Sequence, residues 1–475
     1  MISNEVILIL KRYVGDRAFY RRIFAVALPI IIQNAITNFV ALLDNIMVGQ
    51  LHTAQISGVT IVNNNLMFIF NICIFGAAAG AGIFATQFRG SGDNDGIRYA
   101  MRFKLILCGA LSILAGFVFW FLADPLISLY LTGDGDPLLA AETLTAGRDY
   151  MYMMLWGLLP FAITNAYAST LRECDRPTVA MTAGIVATLV NLVGNYILIF
   201  GHFGAPAMGV RGAALATVIS QCASMIFILC FLFGKKTTVK ITFGNYDFGI
   251  MSRVLKLGFT PFAIIAVDNV MIIAMNALLQ KHGGAAQGDM LVTCNTIVQS
   301  FMLVVTMPLG GISGGTQCIL SYNYGACNCE RVTKAHNFIR WLCAGYNTFM
   351  FAMVYLAGPL FISLFTKDQE LAAQAFRAIK ICTIAIIPLG IQYAIIDGLT
   401  GMGQVQLSLP LSFWRKAVYF ISIFLLPEFF GAASVFFAEP ISDILGPVVS
   451  ICICRKYLPK ILKSREENVA LSPRH

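Results

Sequence analysis

Apolar runs of membrane-spanning length recur along the chain, separated by short polar stretches. A span needs about 20 mostly apolar residues. Twelve segments meet that length, at roughly 22–49, 58–86, 99–123, 149–171, 179–201, 209–233, 255–280, 288–320, 336–365, 378–401, 407–427 and 431–454. The fourth has a polar end from Asn165 to Arg172, and the eleventh carries Arg415 and Lys416 inside it. The longest polar connection, about 234–254, is basic and divides the chain near its middle. The chain from Met1 to Arg22 is mixed and basic, and the run after it is long enough to span. The expectation is an uncleaved first helix.

A weak internal repeat coincides with that division. The stretch from Gly76 and the stretch from Gly311 align without a gap. Gly76, Gly80 and Gly90 fall on Gly311, Gly315 and Gly325, Asp95 on Glu330 and Ala100 on Ala335. Pro160 and Leu171 match Pro388 and Leu399, and Gly209 and Ser220 match Gly431 and Ser442, each at equal spacing. Six spans return the chain to its starting side, so the two halves should be parallel repeats about an axis along the membrane normal. The expected fold is all-α and integral to the membrane, with twelve helices in two six-helix lobes, 1–240 and 241–475, around a cleft.

Composition agrees. Apolar residues make up 58% and charged residues 12% of the 475, and the mean hydropathy is +0.75. A soluble domain is about a quarter charged, so lipid must be the solvent for most of this surface. The net charge of +9 is distributed unevenly. Laid on twelve spans, 27 of the 33 basic residues fall on one side. The positive-inside rule then puts both termini in the cytoplasm of a plasma-membrane protein. A nucleic-acid partner is not expected, because lipid-length runs interrupt the basic residues. The thirteen cysteines are an odd number scattered mostly within apolar runs, which is not a disulfide framework. Cys327-Asn328-Cys329 is a weak metal signal only.

Catalytic signatures are absent: no HExxH, no GxSxG and no P-loop occur. The expectation is a protein that is not an enzyme and needs no cofactor. Ionisable residues inside spans are the informative ones, since their burial costs several kcal/mol unless paired or hydrated. Asp44 lies roughly 7–8 Å from the outer end of the first span, at 1.5 Å per residue. Asn191 and Asn195 share one face of the fifth span at i and i+4. Thr217 reaches similar depth in the sixth. A carboxylate among amide and hydroxyl oxygens suits a hard cation or a proton; interhelical hydrogen bonding and helix capping are the alternatives. In the second half Asp268, Asp397, Glu439 and Asp443 lie within spans, and Glu439 takes the repeat position of Thr217. They would attract a cationic substrate or pair with Arg415 and Lys416. The run Pro308, Gly310, Gly311, Gly315 allows close packing or a bend that moves during transport.

These stretches resemble the multidrug and toxic-compound extrusion (MATE) family. The matches are LDNIMVG around Asp44, ATQFRGSGD at 85–93, LRECDRPTVAM at 171–181, GVRGAALATVIS at 209–220 and SYNYGA at 321–326. The resemblance implies export of amphipathic, often cationic small molecules in exchange for protons or sodium. It also implies that Asp44, Asn191, Asn195 and Thr217 form the coupling site, with sodium the only metal that site would take. Some members have Asp where this chain has Asn195, which favours protons over sodium. Asp268 could match a seventh-helix acid of some members, while Asp397 has no counterpart. Asp268, Glu439, Asp443 and Arg415 are the substrate-cleft candidates, and Pro308, Gly310, Gly311 and Gly315 the hinge candidates. The expected partners are small-molecule substrates and membrane lipids, and the expected state is a monomer. A lipid-linked-precursor flippase of related two-lobe architecture stands as the alternative.

Overall fold

The computed structural model describes residues 52–131, 137–174, 176–234 and 248–470, together with single positions in the stretch before them. The first predicted span, with Asp44, lies outside the described residues. The remaining spans are helices. Helix α1 starts at Thr53–Ile61 and continues as Phe68–Ser91; α2 is Asn94–Phe121, α3 Pro137–Glu173, α4 Pro177–Phe200 and α5 Val210–Leu232. Helices α6 (Met251–Gly284) and α7 (Met290–Gly325) follow, separated at Gly284, whose backbone leaves the helical region. Then come α8 (Cys329–Ser363), α9 (Gln369–Thr383), α10 (Ile386–Gly401), α11 (Val405–Phe430) and α12 (Ala438–Ala470). Among the described residues nine helices are long and apolar enough to cross a membrane, and the bent pair α9 and α10, taken as one span, brings the number to ten. Helix α3 is 37 residues long but less apolar. Large apolar side chains such as Phe117, Trp156, Trp341 and Leu356 stay exposed, as lipid contact requires. The fold is therefore an all-α integral membrane protein.

Local irregularities have chemical causes. Within α1 a π-helical turn covers Val62–Met67, over three consecutive asparagines. Asn65 Nδ2 donates to the Ile61 carbonyl at 3.3 Å. Such side-chain bonds compete with the helical ladder and widen it. The tenth predicted span is bent by 49° between α9 and α10. Thr383 Oγ1 donates back to Ile379 O at 2.7 Å, and Pro388, in the first turn of α10, has no N–H to extend a ladder from α9. Its repeat partner Pro160 lies inside α3 without a break. The twelfth predicted span also begins differently from expectation. A 3₁₀ segment, Ala432–Phe437, precedes α12. Glu439 therefore stands in the first turn of α12, where an acid suits the positive end of the helix dipole.

The repeat extends to backbone detail. At the end of α1, Gly92 N donates to Arg89 O at 3.3 Å and Asp93 N to Phe88 O at 2.9 Å. At the end of α7, Cys327 N donates to Tyr324 O at 3.2 Å and Asn328 N to Asn323 O at 2.9 Å. Both ends are Schellman closures, at equivalent places in the repeat. Gly92 has φ +78° and Cys327 φ +56°, so a cysteine holds the left-handed position that glycine holds in the first copy. The ends of α3 and α10 agree likewise. Arg176 N donates to Leu171 O at 2.8 Å, and Gln404 N to Leu399 O at 2.9 Å.

The chain packs as two compact units. One holds Ile32–Ala85 and Asn94–Phe262; the other holds Thr86–Asp93 and Ala263–His475. In the first, Val62, Leu66, Ile74, Met151 and Ala214 belong to the core. In the second, Leu279, Val298, Val305, Ile379 and Ile423 do. All thirteen cysteines are free, and among the described residues none joins a cluster of metal-ligand type.

Candidate functional site

In the first unit α4 and α5 pack together and bring three of the four expected coupling residues into one row. Asn191 Nδ2 donates to Thr217 Oγ1 at 3.2 Å, and Asn195 Nδ2 to Asn191 Oδ1 at 3.3 Å. The i, i+4 spacing on α4 makes the second bond, since such residues stack on one face. Thr217 Oγ1 itself donates to Ala213 O at 3.0 Å, which leaves its lone pairs for Asn191. Asn195 is fully buried. Asp44, the fourth member, lies outside the described residues.

A second polar group in this unit went unread as a site in the sequence. Lys104, inside the third predicted span, is 1% exposed within α2. Its Nζ donates to Glu173 Oε1 at 2.6 Å, to Ser169 Oγ at 3.1 Å and to Thr170 Oγ1 at 3.3 Å. Ser169 Oγ also donates to Glu173 Oε1. Three donors of one ammonium thus meet three oxygens of α3, which is how a buried cation is accommodated. The signal available in the sequence was Glu173 itself, an acid closing a long apolar helix.

In the second unit α6, α11 and α12 contribute Asp268, Arg415, Lys416, Glu439 and Asp443 to one charged cluster. Lys416 Nζ is paired with Asp268 Oδ1 and donates to the Ile264 carbonyl at 2.8 Å. Arg415 Nη1 donates to Asp443 Oδ1 at 3.0 Å. Asp443 is fully buried, and its Oδ2 has no hydrogen-bond partner among the described residues. Arg415 reaches across α12 because Gly446 has no side chain; a Cβ there would lie 2.9 Å from Arg415 Cβ and 2.8 Å from Gln392 Oε1. Glu439 is half-buried and makes no ion pair within 4 Å among the described residues. Arg415, Asp268 and Lys416 are the charges that act on it most. The group therefore carries three carboxylates against two cations, and the unbalanced one is Glu439. Two of the three expected substrate-attracting acids are paired within the protein. Arg415 and Lys416, the two cations inside the eleventh predicted span, are the partners, as the pairing alternative expects for Asp443 and Asp268. Asp397 stands apart, on α10, where its backbone carbonyl accepts from Gln317 Nε2 at 3.1 Å.

The hinge candidates Pro308, Gly310, Gly311 and Gly315 all lie within α7, which is helical throughout them. Gly311 and Gly315 are buried; Pro308 and Gly310 are half-buried. Gly310 faces open space.

Comparison with known proteins gives a consistent answer. The family model described as MatE matches residues 29–197 and 265–427. A probable multidrug resistance protein NorM of Agrobacterium fabrum is 25% identical over 415 residues, covering 83% of this chain and 84% of that protein. The probable NorM of Thermotoga maritima is 23% identical over 389 residues, covering 81% and 80%. Among solved structures, a MATE in complex with MaL6 superposes with a TM-score of 0.84 at 20% identity, covering 96% of this chain and 99% of that one. An outward-facing multidrug resistance MATE transporter of the MOP superfamily gives 0.85 at 19% identity, covering 96% and 98%. At such identities the structural likeness speaks for the fold.

Proposed function

This chain belongs to the MatE family, and from that premise we propose that it is a secondary active multidrug exporter, an antiporter and not an enzyme. It expels amphipathic, often cationic compounds in exchange for protons. The observation that carries the coupling reading is the hydrogen-bonded row Asn191, Asn195 and Thr217 on α4 and α5. Neutral oxygens in that row surround a titratable group well, and Asp44 supplies the carboxylate. Because position 195 is asparagine, one carboxylate serves the site. A single acid can load and release a proton, whereas sodium favours several hard oxygens with more charge among them. Protonation of Asp44 biases its half between two packings that open to opposite sides.

The names of two relatives, both probable multidrug resistance proteins, support a broad cargo range. The excess negative charge at Glu439 supports attraction of cationic cargo. A flippase of lipid-linked precursors would need cations free to hold a pyrophosphate, and Arg415 and Lys416 are engaged with Asp443 and Asp268. The protein works as a monomer in the plasma membrane, with both termini in the cytoplasm. Removing the three buried cations from the count leaves the charge asymmetry strongly on the same side. The test is dye efflux in everted vesicles under separately imposed proton and sodium gradients. Efflux driven by the proton gradient alone is expected. Efflux driven only by sodium would overturn the coupling, and none under either gradient would overturn the antiport reading.

A further inference from the structure

The second unit contains a cavity of about 620 Å³, well inside the range of about 300–1,000 Å³ typical of small-molecule sites. Its wall is mostly apolar, with Leu291, Phe430, Phe436 and Phe437 among the lining residues. Three large polar side chains line it as well: Arg377, Gln374 and Gln287. Among the described residues no carboxylate does. Arg377 makes no ion pair within 4 Å among the described residues, and Gln374 Oε1 is buried without a hydrogen-bond partner. The described acids nearest in sequence and in the charged cluster do not line it. Asp268 and Asp443 are paired, Glu439 is not in the wall, and Glu428 is 62% exposed and lies 3.9 Å from His282.

Arg377 is exposed, so its guanidinium stands at the mouth of the apolar chamber with no ion pair among the described residues, an arrangement that favours an anion with an apolar body. The planar guanidinium fork matches a carboxylate in geometry, and the two glutamine amides can supply further N–H donors. We infer that this cavity binds a single-chain carboxylate amphiphile, with its chain among the phenylalanines and its head on Arg377. The inference does not depend on the efflux reading, and its charge preference is opposite to that expected at Glu439.

The probe is laurate, offered to the full-length protein in nanodiscs of phosphatidylcholine, which carry no net anionic lipid. A diazirine analogue of laurate should cross-link saturably to peptides within 287–294, 374–381 and 426–441. Free laurate should compete, and dodecyltrimethylammonium should not. Arg377→Gln should weaken laurate binding at least about tenfold, the loss expected for a charge-assisted hydrogen bond. Ala433→Trp, at an exposed lining position, should block cross-linking by filling the chamber. Cross-links confined to other peptides, or equal competition by the cationic analogue, would overturn the assignment. The map on the unmodified protein decides the matter even where a variant fails to fold. Efflux under ion gradients is read separately, so either proposal can fail alone.

Discussion

Lys104 and Glu173 form an ion pair of 2.6 Å with both side chains buried, one on α2 and one on α3. Removing one partner leaves the other's charge without its counter-charge in a water-poor interior, beside neutral hydroxyl partners such as Ser169, at a cost of about 3–5 kcal/mol. Replacing both with apolar residues of similar size removes that cost. Lys104→Met alone should therefore lower the melting temperature in detergent sharply. Glu173→Leu alone should do the same, while the double variant should regain most of the loss. A double-mutant cycle that is additive would mean the two side chains do not act as a pair.

Gly90 and Gly325, equivalent in the repeat, are used equivalently. A Cβ at Gly90 would fall on the carbonyl oxygen of Tyr322, and one at Gly325 on the carbonyl oxygen of Gln87. Tyr322 and Gln87 are themselves repeat equivalents, so the contact is its own image under a twofold axis. The obstructing atoms are backbone, which cannot swing away as a side chain tip can. Gly90→Ala and Gly325→Ala should each destabilise by about 1–3 kcal/mol, the usual cost of overpacking. Thermal unfolding of the two single variants checks this, and similar losses are expected because the environments are alike.

How much of this was readable in advance depended on range. The apolar runs marked the spans because lipid sets a minimum length, which needs no knowledge of packing. The convergence of Asn191, Asn195 and Thr217 was readable from depth alone. Pairing was not. Arg415 and Lys416 were visible as charges inside a span, but their partners lie 28 and 148 residues away in sequence, and only the packing decides which cation takes which acid. Lys104 stands about three turns into α2, where a lysine looks the same in sequence whether it reaches outward to water or inward to Glu173. The 3₁₀ start before α12 was hidden too, since Ala432–Phe437 is as apolar as the helix it precedes.

The Asp268–Lys416 pair predicts an asymmetry. The Asp268 side chain is 41% exposed and that of Lys416 2% exposed. Removing the lysine leaves a carboxylate that water can reach. Removing the aspartate leaves an ammonium held by the Ile264 carbonyl alone. Asp268→Asn should therefore destabilise the protein more than Lys416→Met, in melting temperature and in yield from the membrane. The reverse order would mean that Asp268 is less hydrated than its exposure indicates.

The coupling proposal can be tested by changing the number of carboxylates. Asp44→Asn removes the only acid of the proposed site and should abolish proton-driven dye efflux while the protein still folds and inserts. Full efflux by that variant would sink the mechanism. Asn195→Asp makes the converse change. Asn195 is fully buried and bonded to Asn191, so an aspartate there can accept from Asn191 if that residue turns its N–H₂ toward it. That turn would break the Asn191–Thr217 bond and direct the Thr217 hydroxyl oxygen toward the site. Two carboxylates among neutral oxygens form a better sodium cage than one. Efflux by Asn195→Asp should then gain a dependence on an imposed sodium gradient. It should also lose part of its proton-driven rate, because two neighbouring acids titrate as a pair and one holds its proton more tightly. If the variant exports with unchanged dependence on protons and none on sodium, the identity of residue 195 does not select the ion.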